Sequence, residues 1–115
     1  MANKPKHYPL KVVVNGNHIS SVLIGRHYLL RHGSYMNDDL ILQIVIFLDG
    51  GVFPVDSTTD GIEYFAADVE IGNPKKVYRI IWLFEGKALE VLGVINAYRR
   101  KEKETKIHEN KKKQT

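Results

Sequence analysis

No cysteine occurs among the 115 residues, which excludes a disulfide framework, thiolate metal sites and cysteine nucleophiles and accords with a reducing compartment. Long apolar runs are missing too, and nothing approaches the ~18 residues that a membrane span requires. The N-terminal stretch MANKPKHYPLKVVV carries early lysines but no apolar segment of signal-peptide length, so a cytoplasmic protein without a membrane partner is expected. Gly-rich phosphate loops and a Gly-x-Ser-x-Gly elbow are both lacking, leaving a P-loop nucleotidase and a serine hydrolase without support. The five histidines are His7, His18, His27, His32 and His108, and no pair has the spacing or carboxylate context of a metal motif. His27 and His32, on a helix, would stand roughly 140° apart around its axis. Neither a metal nor a cofactor is expected.

Bulk charge on the body is also absent, although the whole chain is +4. From Arg99 to Thr115 there are eight Lys or Arg against three Glu, a net of +5, while residues 1–98 hold nine basic and ten acidic side chains, a net of −1. The basic character therefore belongs to the terminus. Residues 99–115 read as a basic tail, disordered or partly helical, and residues 1–98 as a single domain. With 43% hydrophobic and 10% aromatic residues, that domain can bury a core without covalent staples.

The local pattern predicts an α+β fold. Leu10–Val14 and His18–Ile24 flank Asn15-Gly16-Asn17, and Asn and Gly supply the positive φ of a tight hairpin turn. Arg26–His32 reads as one or two helical turns ended by Gly33. A second helix is expected from an Asn37 N-cap, with Asp38 and Asp39 at the positive end of its dipole and apolar residues from Leu40 to Leu48. Gly50 stands where a left-handed cap would close it. Val52, Phe53 and Val55 suggest a short edge strand interrupted by Pro54, and Asp56–Gly61 reads as a polar loop. Ile62–Ile71 alternates with period two, Val77–Phe84 is apolar like a central strand, and Ala88–Tyr98 forms the last strand. The expectation is an N-terminal β-hairpin, two helices, then a three- to four-stranded antiparallel meander packed on the helices.

Against this apolar frame the candidate functional residues are His27, Arg31 and His32 at the first helix, Arg79 in the central strand, and Tyr98, Arg99 and Arg100 leaving the last strand, followed by Lys101 and Lys103. Each has two readings. Arg79 shares a strand face with Val77, Ile81 and Leu83, so its guanidinium is either paired with Asp68 or Glu70 on the neighbouring strand or functional. The histidines are either capping, satisfied imidazoles or reactive groups. Arg99–Lys103 is either the start of a solvated tail or a phosphate-binding run. Metal-independent RNA cleavage needs a base for the 2′-hydroxyl, cations for charge developing on phosphate and an acid for the leaving 5′-oxygen. His, Arg, Lys and Tyr supply all three.

The fragment LLRHGSYMNDDLILQIV resembles the Lys-His-Gly helix and capped second helix of the BrnT family of bacterial ribonuclease toxins. The later stretch YRIIWLFEGKALEVLGVINAYRRKEKE is similar in layout to that family's final hairpin and basic exit, and to small domain families allied to the RelE-type ribonuclease fold. The resemblance spans roughly Gly25 to Glu104. It implies a compact antiparallel sheet on two helices, metal-independent cleavage of messenger RNA, and neutralisation by a cognate antitoxin. Arg31 and His32 fall at the Lys-His positions, and Arg99 and Arg100 at the basic residues closing the last strand. His27, Arg79 and Tyr98 enter from the chemistry above. Two functions are carried forward: a toxin-like ribonuclease, or an inactive relative of one, with RNA and an antitoxin as partners; and a noncatalytic protein-interaction module, homodimeric through the Leu40–Leu48 helix or an edge strand.

Overall fold

A computed structural model describes residues 4–26 and 28–100. These form β1 (Lys6–Val14), β2 (Asn17–Ile24), α1 (Tyr28–His32), α2 (Asp38–Ile46), β3 (Val55–Thr59), β4 (Ile62–Ile71), β5 (Lys76–Glu85) and β6 (Val91–Arg99). The strands make one sheet in the order β1-β2-β6-β5-β4-β3. Every strand contact is antiparallel except that of β2 with β6, which is parallel.

The expected α+β layout, with a separate antiparallel meander on two helices, is thereby overturned. The fold is mostly sheet, the sheet is mixed, and its helices are only five and nine residues long. The decisive contact is the parallel register that sets Ser21 beside Val91 and Ile24 beside Val94, which fuses the hairpin to the other four strands. Each segment reads locally as a strand, but the pattern within a strand does not say which distant strand it pairs with. A second correction concerns Asp56–Gly61, expected as a loop. Asp56–Thr59 belongs to β3, and Asp60 (φ 52°) and Gly61 (φ 80°) make a tight turn like Asn15 (φ 54°) and Gly16 (φ 78°), the doubly left-handed geometry that suits a two-residue hairpin. An edge strand exposed along its whole length needs backbone pairing but no apolar alternation, so its composition resembles that of a loop.

α2 starts where the Asn37 side chain accepts the Leu40 N–H at 2.8 Å. It turns Ile41, Ile44 and Val45 into the core and ends at Ile46, with Phe47 as its C-cap, after which Leu48 and Asp49 N–H groups tighten the chain by donating to the Val45 and Ile46 carbonyls. Those side chains pack with Val22, Ile24, Ile80, Trp82, Leu92 and Val94 on one face of the sheet. Trp82 is fully buried, with Phe53 edge-on at 5.3 Å and Phe65 stacked at 5.8 Å. The connection after α2 covers part of the β1 edge. Gly50 N–H donates to the Val13 carbonyl at 2.7 Å, Asn15 N–H to the Gly51 carbonyl at 2.9 Å, and Val13 N–H to Asp49 Oδ1 at 2.8 Å. Backbone groups that would otherwise present an open strand edge are thereby satisfied.

One carboxylate joins the helices to the sheet. Asp38, the first residue of α2, accepts from Arg26 Nη1 on both oxygens (3.0 and 2.9 Å). It also accepts from the Tyr28 hydroxyl at 2.7 Å and from the Tyr8 hydroxyl of β1. The Arg26 and Asp38 side chains are only 11% and 14% exposed. Burial alone would raise the Asp38 pKa, but the bonds from Arg26, Tyr8 and Tyr28 outweigh it and hold the carboxyl below its ordinary 3.8. Tyr28 is pushed up to about 12, first by burial and then by its bond to Asp38.

Asp38→Ala should cost about 2–4 kcal/mol in urea unfolding, because it leaves Arg26 sheltered and unpaired. Since the folded state lowers the Asp38 pKa, this stabilisation is complete above 3.8 and disappears as pH falls through the lower folded value. The unfolding free energy of the native chain should therefore drop more steeply in that acid range than that of Asp38→Asn.

Candidate functional site

β2 accompanies β6 only as far as Val94, so the rest of β6 presents a backbone edge to the segment after β2. α1 lies along it. The Arg99 N–H donates to the Tyr35 hydroxyl at 3.1 Å, and the same hydroxyl is 2.9 Å from His32 Nδ1. A side-chain hydroxyl thus stands in for the missing strand and at the same time orients an imidazole.

Strand alternation decides which side chains gather here. Ala97 is buried in the core, so Tyr98 points to the other face of the sheet. Its ring lies 5.4 Å from that of His32 at an interplanar angle of 31°, while the Arg99 guanidinium sits 5.2 Å from the Tyr35 ring centre. His32 and Tyr35 therefore straddle the end of β6. Register places Tyr98 opposite Arg79 and Arg79 opposite Asp68, forming a row across three strands. Arg79 donates from Nε at 2.8 Å and from Nη2 at 3.2 Å to the two oxygens of Asp68. Arg100, two residues beyond Tyr98, donates from Nη1 to Asp68 Oδ2 at 3.0 Å, with its backbone N–H held by the Val77 carbonyl at 2.7 Å. The Arg79 guanidinium is held above its ordinary pKa, chiefly by the Asp68 hydrogen bonds, with Tyr98 adding in the same direction. These three ionic side chains are 26–38% exposed, so the cluster faces solvent.

Of the residues singled out in the sequence, His32, Arg79, Tyr98, Arg99 and Arg100 come together at this end of the sheet. Arg31 is exposed on α1, and among the described residues no hydrogen bond or ion pair ties it to the cluster. His27, Lys101 and Lys103 lie outside the described residues. Tyr35 and the double use of Asp68 were not anticipated. Tyr35 follows His32 by three positions, but only the end of β2 at Ile24 makes its hydroxyl necessary. Asp68 stood as one of two partners for Arg79, and nothing in the local pattern assigns it a second arginine.

Among the described residues no group of three or more His, Asp or Glu could hold a metal ion, and no helix is long and apolar enough to cross a membrane. An open cavity of about 490 Å³ is lined by Asn15, Ile62, Leu83 and Leu89 among others, and shares no residue with the cluster. Comparison of the chain with known protein families, with curated proteins and with solved structures finds no match.

Tyr35→Phe removes the hydroxyl shared by Arg99 and His32 and nothing else. It should cost about 1 kcal/mol in thermal or urea unfolding, and the His32 ring resonances should shift in the NMR spectrum while those of His18 stay in place.

Proposed function

We propose that this chain is a toxin-like, metal-independent endoribonuclease, or an inactive relative of one, allied to the BrnT and RelE-like toxins, acting on RNA in the cytoplasm and held in check by a cognate antitoxin. The observation that carries the reading is the tilted ring contact of His32 with Tyr98, with Arg79 opposite Tyr98 and Arg100 bonded to the same Asp68 carboxylate as Arg79. The Arg79–Asp68 pair alone is an ordinary cross-strand ion pair of an exposed sheet face. An imidazole against a phenol with two guanidinium groups alongside has the composition that phosphodiester cleavage needs. In that reaction a base takes the 2′-hydroxyl proton, the 2′-oxygen attacks phosphorus, and the P–O5′ bond breaks as the 5′-oxygen accepts a proton, leaving a 2′,3′-cyclic phosphate. His32 and Tyr98 are the groups for the two proton transfers, and Arg79 and Arg100 balance the charge developing on the phosphate oxygens.

A noncatalytic interaction module, homodimeric or binding another protein, draws on a different observation. Leu30 and Val52 are each 82% exposed and Phe47 is 61% exposed, apolar side chains that a protein partner would cover.

Induced expression should arrest growth and yield cleaved total RNA. His32→Ala and Arg79→Ala should each lower the cleavage rate by at least about a hundredfold, the usual scale for losing a proton-transfer or charge-stabilising group. Intact RNA from abundant native protein, together with a dimeric mass in solution, would instead favour the interaction module.

A further inference from the structure

The carboxylate of Asp68 occupies an unusual place for a surface residue. It receives three N–H bonds from two guanidinium groups, at 2.8 and 3.2 Å from Arg79 and 3.0 Å from Arg100. The Nε and Nη2 edge of Arg79 is the fork that arginine offers to phosphate as readily as to carboxylate. One oxyanion held by that fork and by a second arginine is how a phosphate group would be coordinated at the same spot. Stability does not require the arrangement, since ion pairs with side chains this exposed are worth at most about 1 kcal/mol.

We propose that Asp68 is an internal counter-anion, occupying in the unliganded protein the position between Arg79 and Arg100 that a phosphate of bound RNA takes, so that RNA must displace it. The proposal rests on the RNA-binding part of the reading above and deepens it by naming what the phosphate replaces. Asp68 does two things in the empty protein. It keeps two like charges close together on an open sheet face, and it cancels half of their attraction for a polyanion. That contact sets a threshold, because a single isolated phosphate gains little by the exchange, whereas a strand bringing several phosphates gains elsewhere what it gives up at Asp68. Glu70, two residues along β4, points to the same face and lies opposite Val77 rather than an arginine. It therefore contributes the same charge without occupying the clamp.

The test is equilibrium binding of a short single-stranded RNA of mixed sequence to the full chain, using protein that also carries His32→Ala so that the probe stays intact. Asp68→Asn should tighten binding by at least about fivefold at low salt, as expected for removing one charge in direct contact with the ligand. Glu70→Gln should change it by less than half as much. Arg79→Ala and Arg100→Ala should each weaken binding and flatten its dependence on salt. Equal tightening by Asp68→Asn and Glu70→Gln would reduce Asp68 to one more background charge and overturn the proposal. Weaker binding by Asp68→Asn would overturn it as well, marking Asp68 as a residue that positions the arginines. If Arg79→Ala and Arg100→Ala left RNA affinity unchanged, the phosphate site itself would fall, and with it the functional reading. Asp68→Asn alters an exposed side chain of nearly the same shape, and unchanged urea unfolding confirms that the comparison is between folded proteins.

Discussion

The position of both helices depends on the Asp38 carboxylate. It stands at the start of α2 and is gripped by Tyr8 from β1, Arg26 just after β2 and Tyr28 at the start of α1, so three separate segments share one anchor. α1 has five residues, far below the length at which a helix persists in water. Tertiary contacts must hold it, and the Asp38 cluster supplies the polar ones while Tyr28 and Met36 supply apolar burial. With α1 held, Tyr35 reaches the edge of β6 and His32 meets Tyr98. The candidate site therefore inherits its geometry from an interaction at the other end of the same short helix.

The molecule contains two carboxylates that bind arginine, and their surroundings give them different roles. Asp38 and Arg26 are sheltered and surrounded by two tyrosine hydroxyls, so every oxygen of the carboxylate is occupied and removing it strands a charge. Asp68 is more than a third exposed, holds two guanidinium groups, and can exchange partners at little cost in stability. Sheltering makes the first a structural joint. Exposure leaves the second free to exchange partners.

Much of the site was legible as a set of residues and little of it as an arrangement. Arg79 stood out because a guanidinium interrupts an apolar strand, and Asp68 was named with Glu70 as its alternative partner; register then placed Asp68 directly opposite. His32, Tyr98, Arg99 and Arg100 were visible as polar residues at the ends of elements. Tyr35 was not, because its role depends on β2 stopping short of the end of β6. Likewise Asp38 read only as a helix-dipole residue, since its partners Tyr8 and Arg26 belong to segments whose proximity no local pattern encodes.

The sequence by itself determined the local elements that depend on short-range chemistry: the Asn15-Gly16 turn, the Asn37 cap, the period of two in β4 and the apolar centre of β5. These follow from backbone preference and the spacing of apolar side chains over a few residues. Only the tertiary structure decided that the hairpin joins the other strands through a parallel β2–β6 contact, that Asp56–Thr59 is an edge strand, and that His32, Tyr98, Arg79, Arg100 and Asp68 share one end of the sheet. The physical reason is that strand pairing is made by backbone groups every residue possesses. The choice of partner is settled by which apolar faces can be buried together, and that is a property of the whole chain rather than of any segment of it.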